Sequence, residues 1–212
     1  MSEYGYIPEA PEQSFGNNKG IFTPKDIYDL TRADKYTNYG QLEFIETQTV
    51  SSAVAGVDFT NLGDYNVHFI TTHSFSSATD YGALSLRVST DGGTSFKSSG
   101  YQYANQYNNA GSNGEQKSTS EAFITQMTPP NSGASPFASN GYAYLYNFLD
   151  SSKYSFSTWR STAVISANSE YEGYAGSGVY PVAETHNAFR LMPKNSSNVD
   201  NGTISLYGIR YS

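Results

Sequence analysis

From residue 41 onward apolar and polar side chains alternate with a period of two, and this pattern constrains the fold of the 212-residue chain more than any other feature. Successive side chains of a strand point to opposite faces, so alternation reads as half-buried strands. In the cleanest run, Gly82-Ala-Leu-Ser-Leu-Arg-Val-Ser-Thr90, Leu84, Leu86 and Val88 are expected inward and Ser85, Arg87 and Ser89 outward. The run meets Asp91-Gly92-Gly93, a tight-turn signal after which Thr94-Ser-Phe96 resumes a strand. Tyr65–Phe75 places Tyr65, Val67 and Phe69 on one face, and Gln41–Val50 pairs Leu42 with Phe44. Further strands are expected at Tyr101–Tyr107, Ala122–Met127, Tyr142–Phe148, Ser157–Ser166, Asn187–Leu191 and Thr203–Tyr211. Asn108–Ser118, Pro129–Asn140 and Glu170–Pro181 read as loops. About nine short strands with no long helix predict an all-β chain, an antiparallel β-sandwich over residues 39–212. No fixed-period repeat points to a propeller or β-helix.

Residues 1–38 break the pattern. They carry Pro8, Pro11 and Pro24 among mixed charges. One short helix is expected from Thr23, with Thr as N-cap and Pro24 at the first helical position, ahead of Asp26, Ile27 and Leu30. Tyr4, Tyr6, Ile7, Phe15, Ile21, Phe22, Ile27, Tyr28 and Leu30 are many apolar groups for a solvated tail. The segment reads as a frayed terminus or as a docking arm that buries these groups on a neighbour or its own sandwich.

Composition narrows the function classes. The formal net charge is −7 and no Lys/Arg cluster exists, so nucleic-acid binding is not expected. Without cysteine, thiolate metal sites, cysteine catalysis and disulfides are excluded. Met1-Ser2-Glu3-Tyr4 lacks the basic and apolar regions of a signal peptide. No run approaches the roughly 18 apolar residues of a membrane span. The expectation is a chain made and soluble in a cytoplasm, without membrane insertion.

No set of residues announces chemistry. His68 and His73 are five apart on one strand, facing opposite ways, and with His186 they read as ordinary strand or loop histidines. A glycosidase needs two carboxyls about 5–9 Å apart. The acids lie mostly at turns, where Asp suits local hydrogen bonds, and Glu43 and Glu46, three apart, are expected on opposite faces. Gly111-Ser-Asn-Gly114 lacks the Lys-Ser/Thr of a phosphate loop. No calcium loop and no Gly-x-Ser-x-Gly elbow is present, although sequence alone leaves a Ser-His-Asp triad open. No cofactor, no metal and no catalytic residue is assigned. Aromatics remain, at 15% of the chain with 19 Tyr. Tyr101, Tyr103, Tyr107, Tyr142, Tyr144, Tyr146, Tyr171, Tyr174 and Tyr180 are candidates for stacking on sugar rings or for intersubunit packing, where Tyr is enriched. Tyr142-Ala-Tyr-Leu-Tyr146 sets three tyrosines on one face, the pattern of an intersheet or intersubunit surface.

Leu84-Ser-Leu-Arg-Val-Ser-Thr-Asp-Gly-Gly-Thr-Ser-Phe96, followed by Gly100-Tyr-Gln-Tyr-Ala104, resembles a stretch that recurs in tail and fibre proteins of bacteriophages. Asn201-Gly-Thr-Ile-Ser-Leu-Tyr-Gly-Ile-Arg210 resembles the closing strand of the same jelly-roll-like modules, with Asn187-Ala-Phe-Arg-Leu191 as the penultimate strand. Asn18–Leu30 is similar to a linker in structural proteins of marine, cyanophage-like podoviruses. The resemblance implies a non-enzymatic virion structural protein, a tail or head fibre or capsid decoration component. It would attach to capsid, portal or tail proteins through its arm and form a homo-oligomer, with a trimer favoured by analogy to phage fibres. A carbohydrate-binding host adhesin is the alternative, and a polysaccharide hydrolase a third. The closing segment also has a physical reading. Ile204, Leu206 and Gly208 share one face, Ser205, Tyr207 and Ile209 the other, and Gly208 would admit a ring, a backbone or a bulge.

Overall fold

The computed structural model describes residues 13–14, 17–18, 23–33, 42–130, 137–165 and 170–209, in two compact units, Met1–Gly40 and Gln41–Tyr211. The first contains the paired strands β1 (Gln13–Ser14) and β2 (Asn17–Asn18) and one helix, α1 (Pro24–Arg32). The helix starts where its sequence says it should. Thr23 accepts from the Asp26 amide, the Asp26 carboxylate accepts from the Thr23 amide at 2.9 Å, and Pro24 occupies the first turn. No residue of α1 is buried: Ile27 and Tyr28 are exposed and Leu30 is half-buried. Of the residues expected to dock, Tyr4, Tyr6, Ile7, Phe15, Ile21 and Phe22 lie outside the described residues.

The second unit is an all-β sandwich. Its strands are β3 (Leu42–Val50), β4 (Val57–Phe59), β5 (Val67–Ser77), β6 (Leu84–Ser89), β7 (Tyr101–Asn109), β8 (Asn113–Glu121), β9 (Ser139–Tyr146), β10 (Ser155–Val164), β11 (Tyr171–Tyr180), β12 (Ala188–Pro193) and β13 (Val199–Ile209). Among the described residues they form an eight-stranded sheet, β3-β13-β5-β9-β10-β11-β7-β8, and a three-stranded sheet, β4-β12-β6. All of this pairing is antiparallel. One core joins the two: Ile70, Leu145, Trp159, Ile204 and Leu206 from the large sheet meet Phe59, Leu84, Leu86, Val88, Phe189 and Leu191 from the small one. Burying each such side chain contributes about 1.5–3 kcal/mol, which is why the alternating residues set the fold.

The small sheet departs from the expected half-exposure. Leu84, Leu86 and Val88 are buried, but so are Ser85 and Ser89. The reason is the segment 122–128, which runs along the free edge of β6. Leu86 and Ile124 exchange backbone hydrogen bonds, Met127 donates to the Leu84 carbonyl, and Ser85 bonds Thr125 at 2.9 Å. The strand expected at Ala122–Met127 is this single bridge, and Gln126 beyond it sits at positive φ. Thr94–Phe96 does not resume a strand either. Asp91 takes hydrogen bonds from Ser89 and from both the amide and hydroxyl of Ser95, which fold the loop on itself and hold the carboxyl down at about 2.

Two expected loops are strands. β8 has no apolar residue to reveal alternation, and its order comes from backbone pairing with β7. In β11 two of the glycines, Gly176 and Gly178, are sockets on the inner face. A Cβ on Gly176 would lie 2.6 Å from both Trp159 and Asn105, and one on Gly178 would lie 2.6 Å from Ile124.

At the other end, β13 carries a register shift between Leu206 and Tyr207 against β3. The shift sets Glu46 opposite Leu206 and Glu43 opposite Gly208, so the two acids share a face instead of opposing. The Tyr65 ring lies against Gly208, within 2.3 Å of where a Cβ would sit, and its hydroxyl donates to Glu43 at 2.8 Å. The close approach expected at Gly208 is therefore made by Tyr65, which precedes β5. Val67 and Phe69 lie on the opposite face of the sheet, opposite Ile209 and Tyr207.

Candidate functional site

The eight-stranded sheet has an outer face, turned away from the core, on which the pleat collects rings. On β9 Tyr142, Tyr144 and Tyr146 alternate with the buried Ala143 and Leu145. Opposite them on β5 stand Thr71, Phe69 and Val67, and beyond β5 come Tyr207 and Phe44. The rings form a chain: Phe44 to Tyr207 at 5.8 Å, Tyr207 to Phe69 at 6.2 Å, Phe69 to Tyr144 at 4.9 Å and Tyr144 to Tyr146 at 6.3 Å. Such offset and edge-on pairs stabilise one another, yet Phe44 is 63% exposed and Tyr142 41%. Leu42, Phe156 and Tyr171 add to the same face.

Past Tyr142 this face turns into a groove of about 600 Å³. Tyr142 faces Arg160 across the β9–β10 pair, Arg160 faces Ala175, and Thr162 faces Gly173. Tyr171 folds back along β11, its hydroxyl 2.8 Å from where a Gly173 Cβ would sit. His73, Asn108 and Asn140 complete the rim. Asn140 is fixed there because its side-chain oxygen accepts from the Ser74 amide at 2.9 Å, at a positive-φ kink in β5. Sequence reasoning missed Arg160, Asn108 and Gly173. The alternation Phe156, Thr158, Arg160, Thr162 against Ser157, Trp159, Ala163 was the available signal for the first.

The other tyrosines proposed as surface contacts face the opposite way. Tyr101 and Tyr174 are buried, as is Tyr180, and Tyr103 and Tyr107 are half-buried. The cause is register: Tyr103 pairs with Gly178 and Tyr107 with Tyr174, all on the inner face. Tyr101 accepts from the Val88 amide and donates to the Lys97 carbonyl, and burial pushes its hydroxyl pKa up. Tyr107 stacks near Tyr174 at 5.8 Å. These five are corrections to the sequence reading, and of the candidates only Tyr142, Tyr144, Tyr146 and Tyr171 stand on the outer face.

One arrangement has the connectivity of a catalytic triad. The Ser155 hydroxyl lies 2.7 Å from His186 Nδ1, and His186 Nε2 lies 3.4 Å from Glu184, which pairs with Lys97. Ser155 is 1% exposed and His186 0%, enclosed by Phe148 and Tyr180. A nucleophile must meet its substrate, and this serine does not reach the surface. Burial holds His186 below its ordinary pKa, as it does His68, whose Nε2 bonds the Leu62 carbonyl at 2.8 Å. Other acids are also engaged: Asp58 holds Arg190 through two bonds, and Asp150 bonds Ser152 and Lys153. Among the described residues no three His, Asp or Glu side chains gather as a metal site requires.

Fold and face together define an antiparallel β-sandwich with one aromatic, solvent-facing sheet surface. No family model, curated protein or solved structure matches the chain.

Proposed function

We propose that the chain is a non-enzymatic structural protein of a bacteriophage particle, a tail or head fibre or capsid decoration component, whose jelly-roll-like sandwich packs against other copies of itself through the outer face of the eight-stranded sheet. The carrying observation is the ring chain Phe44–Tyr207–Phe69–Tyr144, an aromatic strip of the kind that marks protein contact surfaces. The resemblance of residues 84–104 and 187–210 to phage fibre modules supports the setting and favours a trimer. The N-terminal segment is the proposed attachment to capsid, portal or tail. The enclosure of Ser155 and His186 supports a role without catalysis.

Sedimentation of the full chain tests this. The expected result is a closed homo-oligomer that dissociates to folded monomers when Phe44 and Tyr144 are both changed to Asp. A wild-type monomer at high micromolar concentration overturns the self-association.

A further inference from the structure

We propose that the groove beside Tyr142 binds an acidic sugar residue of a polysaccharide, with Arg160 pairing to its carboxylate and the Tyr142 and Tyr171 rings bordering the chain. The proposal rests on the groove, which opens on the same outer face beyond Tyr142, and it requires that the contact between copies covers the Phe44–Tyr144 strip and leaves the groove open.

Charge is the first ground. The protein carries a formal charge of −7, yet among the described residues the groove is lined by an arginine, a histidine and no carboxylate. Lys117, on the same face, is held by Glu115, and Arg190 by Asp58. Arg160 is exposed and makes no ion pair among the described residues. A guanidinium with no carboxylate beside it among the described residues is an electrostatic well for one carboxylate, which a guanidinium grips with two parallel bonds.

Shape and polarity are the second. Beside Arg160 the floor consists of the small residues Thr162 and Ala175, so a ring can lie close to the sheet there, while Gly173 lies under the Tyr171 hydroxyl. Tyr171 reaches back to the row of Thr162 and Gly173, two residues from Arg160, about 7 Å at the strand rise. Asn108 and Asn140 offer neutral donors and acceptors, which match hydroxyls better than they match a free anion. The volume of about 600 Å³ is that of a small-ligand cleft. A nucleic acid would present a dense row of phosphates to a single cation on an acidic protein, a poor match.

The test titrates the full chain with oligogalacturonate, with a neutral malto-oligosaccharide of equal length, with a single-stranded oligonucleotide and with inorganic phosphate. It compares wild type with Arg160→Gln, Arg160→Lys and Tyr171→Ala by calorimetry and amide chemical shifts. The expected result is oligogalacturonate binding that Arg160→Gln weakens about ten- to hundredfold, that Arg160→Lys partly keeps, and that Tyr171→Ala weakens less. The neutral sugar is expected to bind at least about tenfold more weakly, the scale of one charge-assisted contact. Both residues are exposed and lie outside the Phe44–Tyr207–Phe69–Tyr144 strip, so thermal unfolding and oligomer mass should match wild type, which separates this outcome from that of the self-association test. The proposal is overturned by no oligogalacturonate binding, by equal binding to Arg160→Gln, or by equal binding of the neutral sugar. Phosphate or oligonucleotide binding as tight as oligogalacturonate overturns it too.

Discussion

The two faces of the eight-stranded sheet use the same residue type for opposite ends. On the inner face Tyr101 is 0% exposed, with its hydroxyl locked between Val88 and Lys97, and Tyr174 packs beside Tyr107. On the outer face Tyr171 is 54% exposed, and Tyr142, Tyr144 and Tyr146 touch mainly one another and Phe69. Tyrosine serves both because its ring is apolar and its tip is wet. What separates them is the pleat and the residue opposite: inner tyrosines of β7 face Gly178 and Tyr174, while outer tyrosines of β9 face Thr71, Phe69 and Val67. An aromatic count therefore says little about a binding face until the register is known.

This contrast breaks most sharply at Trp159, an inner residue 3% exposed. Trp159→Ala should cost about 3–5 kcal/mol of unfolding free energy in urea, whereas Phe44→Ala on the outer face should change the monomer by no more than about 0.5 kcal/mol. Comparable losses at the two sites would erase the distinction. Next in size is Gly208→Ala, which drives a methyl group into the Tyr65 ring and should cost about 1–3 kcal/mol. Adding Tyr65→Ala should relieve part of that loss, and strict additivity would mean the ring is not the obstacle. The smallest effect concerns pH. Burial raises the Glu172 pKa above 4.5 on the inner face, so the folded state holds the proton more tightly than the unfolded chain. Stability from this group is complete below about pH 4.5 and is lost as pH rises through the raised value. Glu172→Gln should therefore raise the melting temperature at pH 7, with the gain shrinking toward pH 4. A gain that is constant with pH would remove the burial account.

The sequence by itself determined the class of fold and its sharpest local features. Period-two alternation required two packed sheets, Thr23-Pro24 with Asp26 specified the start of α1, and Gly208 announced a close approach, because each is decided by neighbours along the chain or by one missing Cβ. Tertiary structure decided the rest. β8 is a strand through its pairing with β7 and β11 through its pairing with β10 and β7, and polar or glycine-rich segments carry no alternation to read. Ser85 is buried by a segment some forty residues away in sequence, and one register shift in β13 turned Glu43 and Glu46 to the same side. The groove around Arg160 draws residues from β5, β7, β9, β10 and β11. Its existence depends on which strands become neighbours, and that follows from the whole sheet closing on one core rather than from any local pattern.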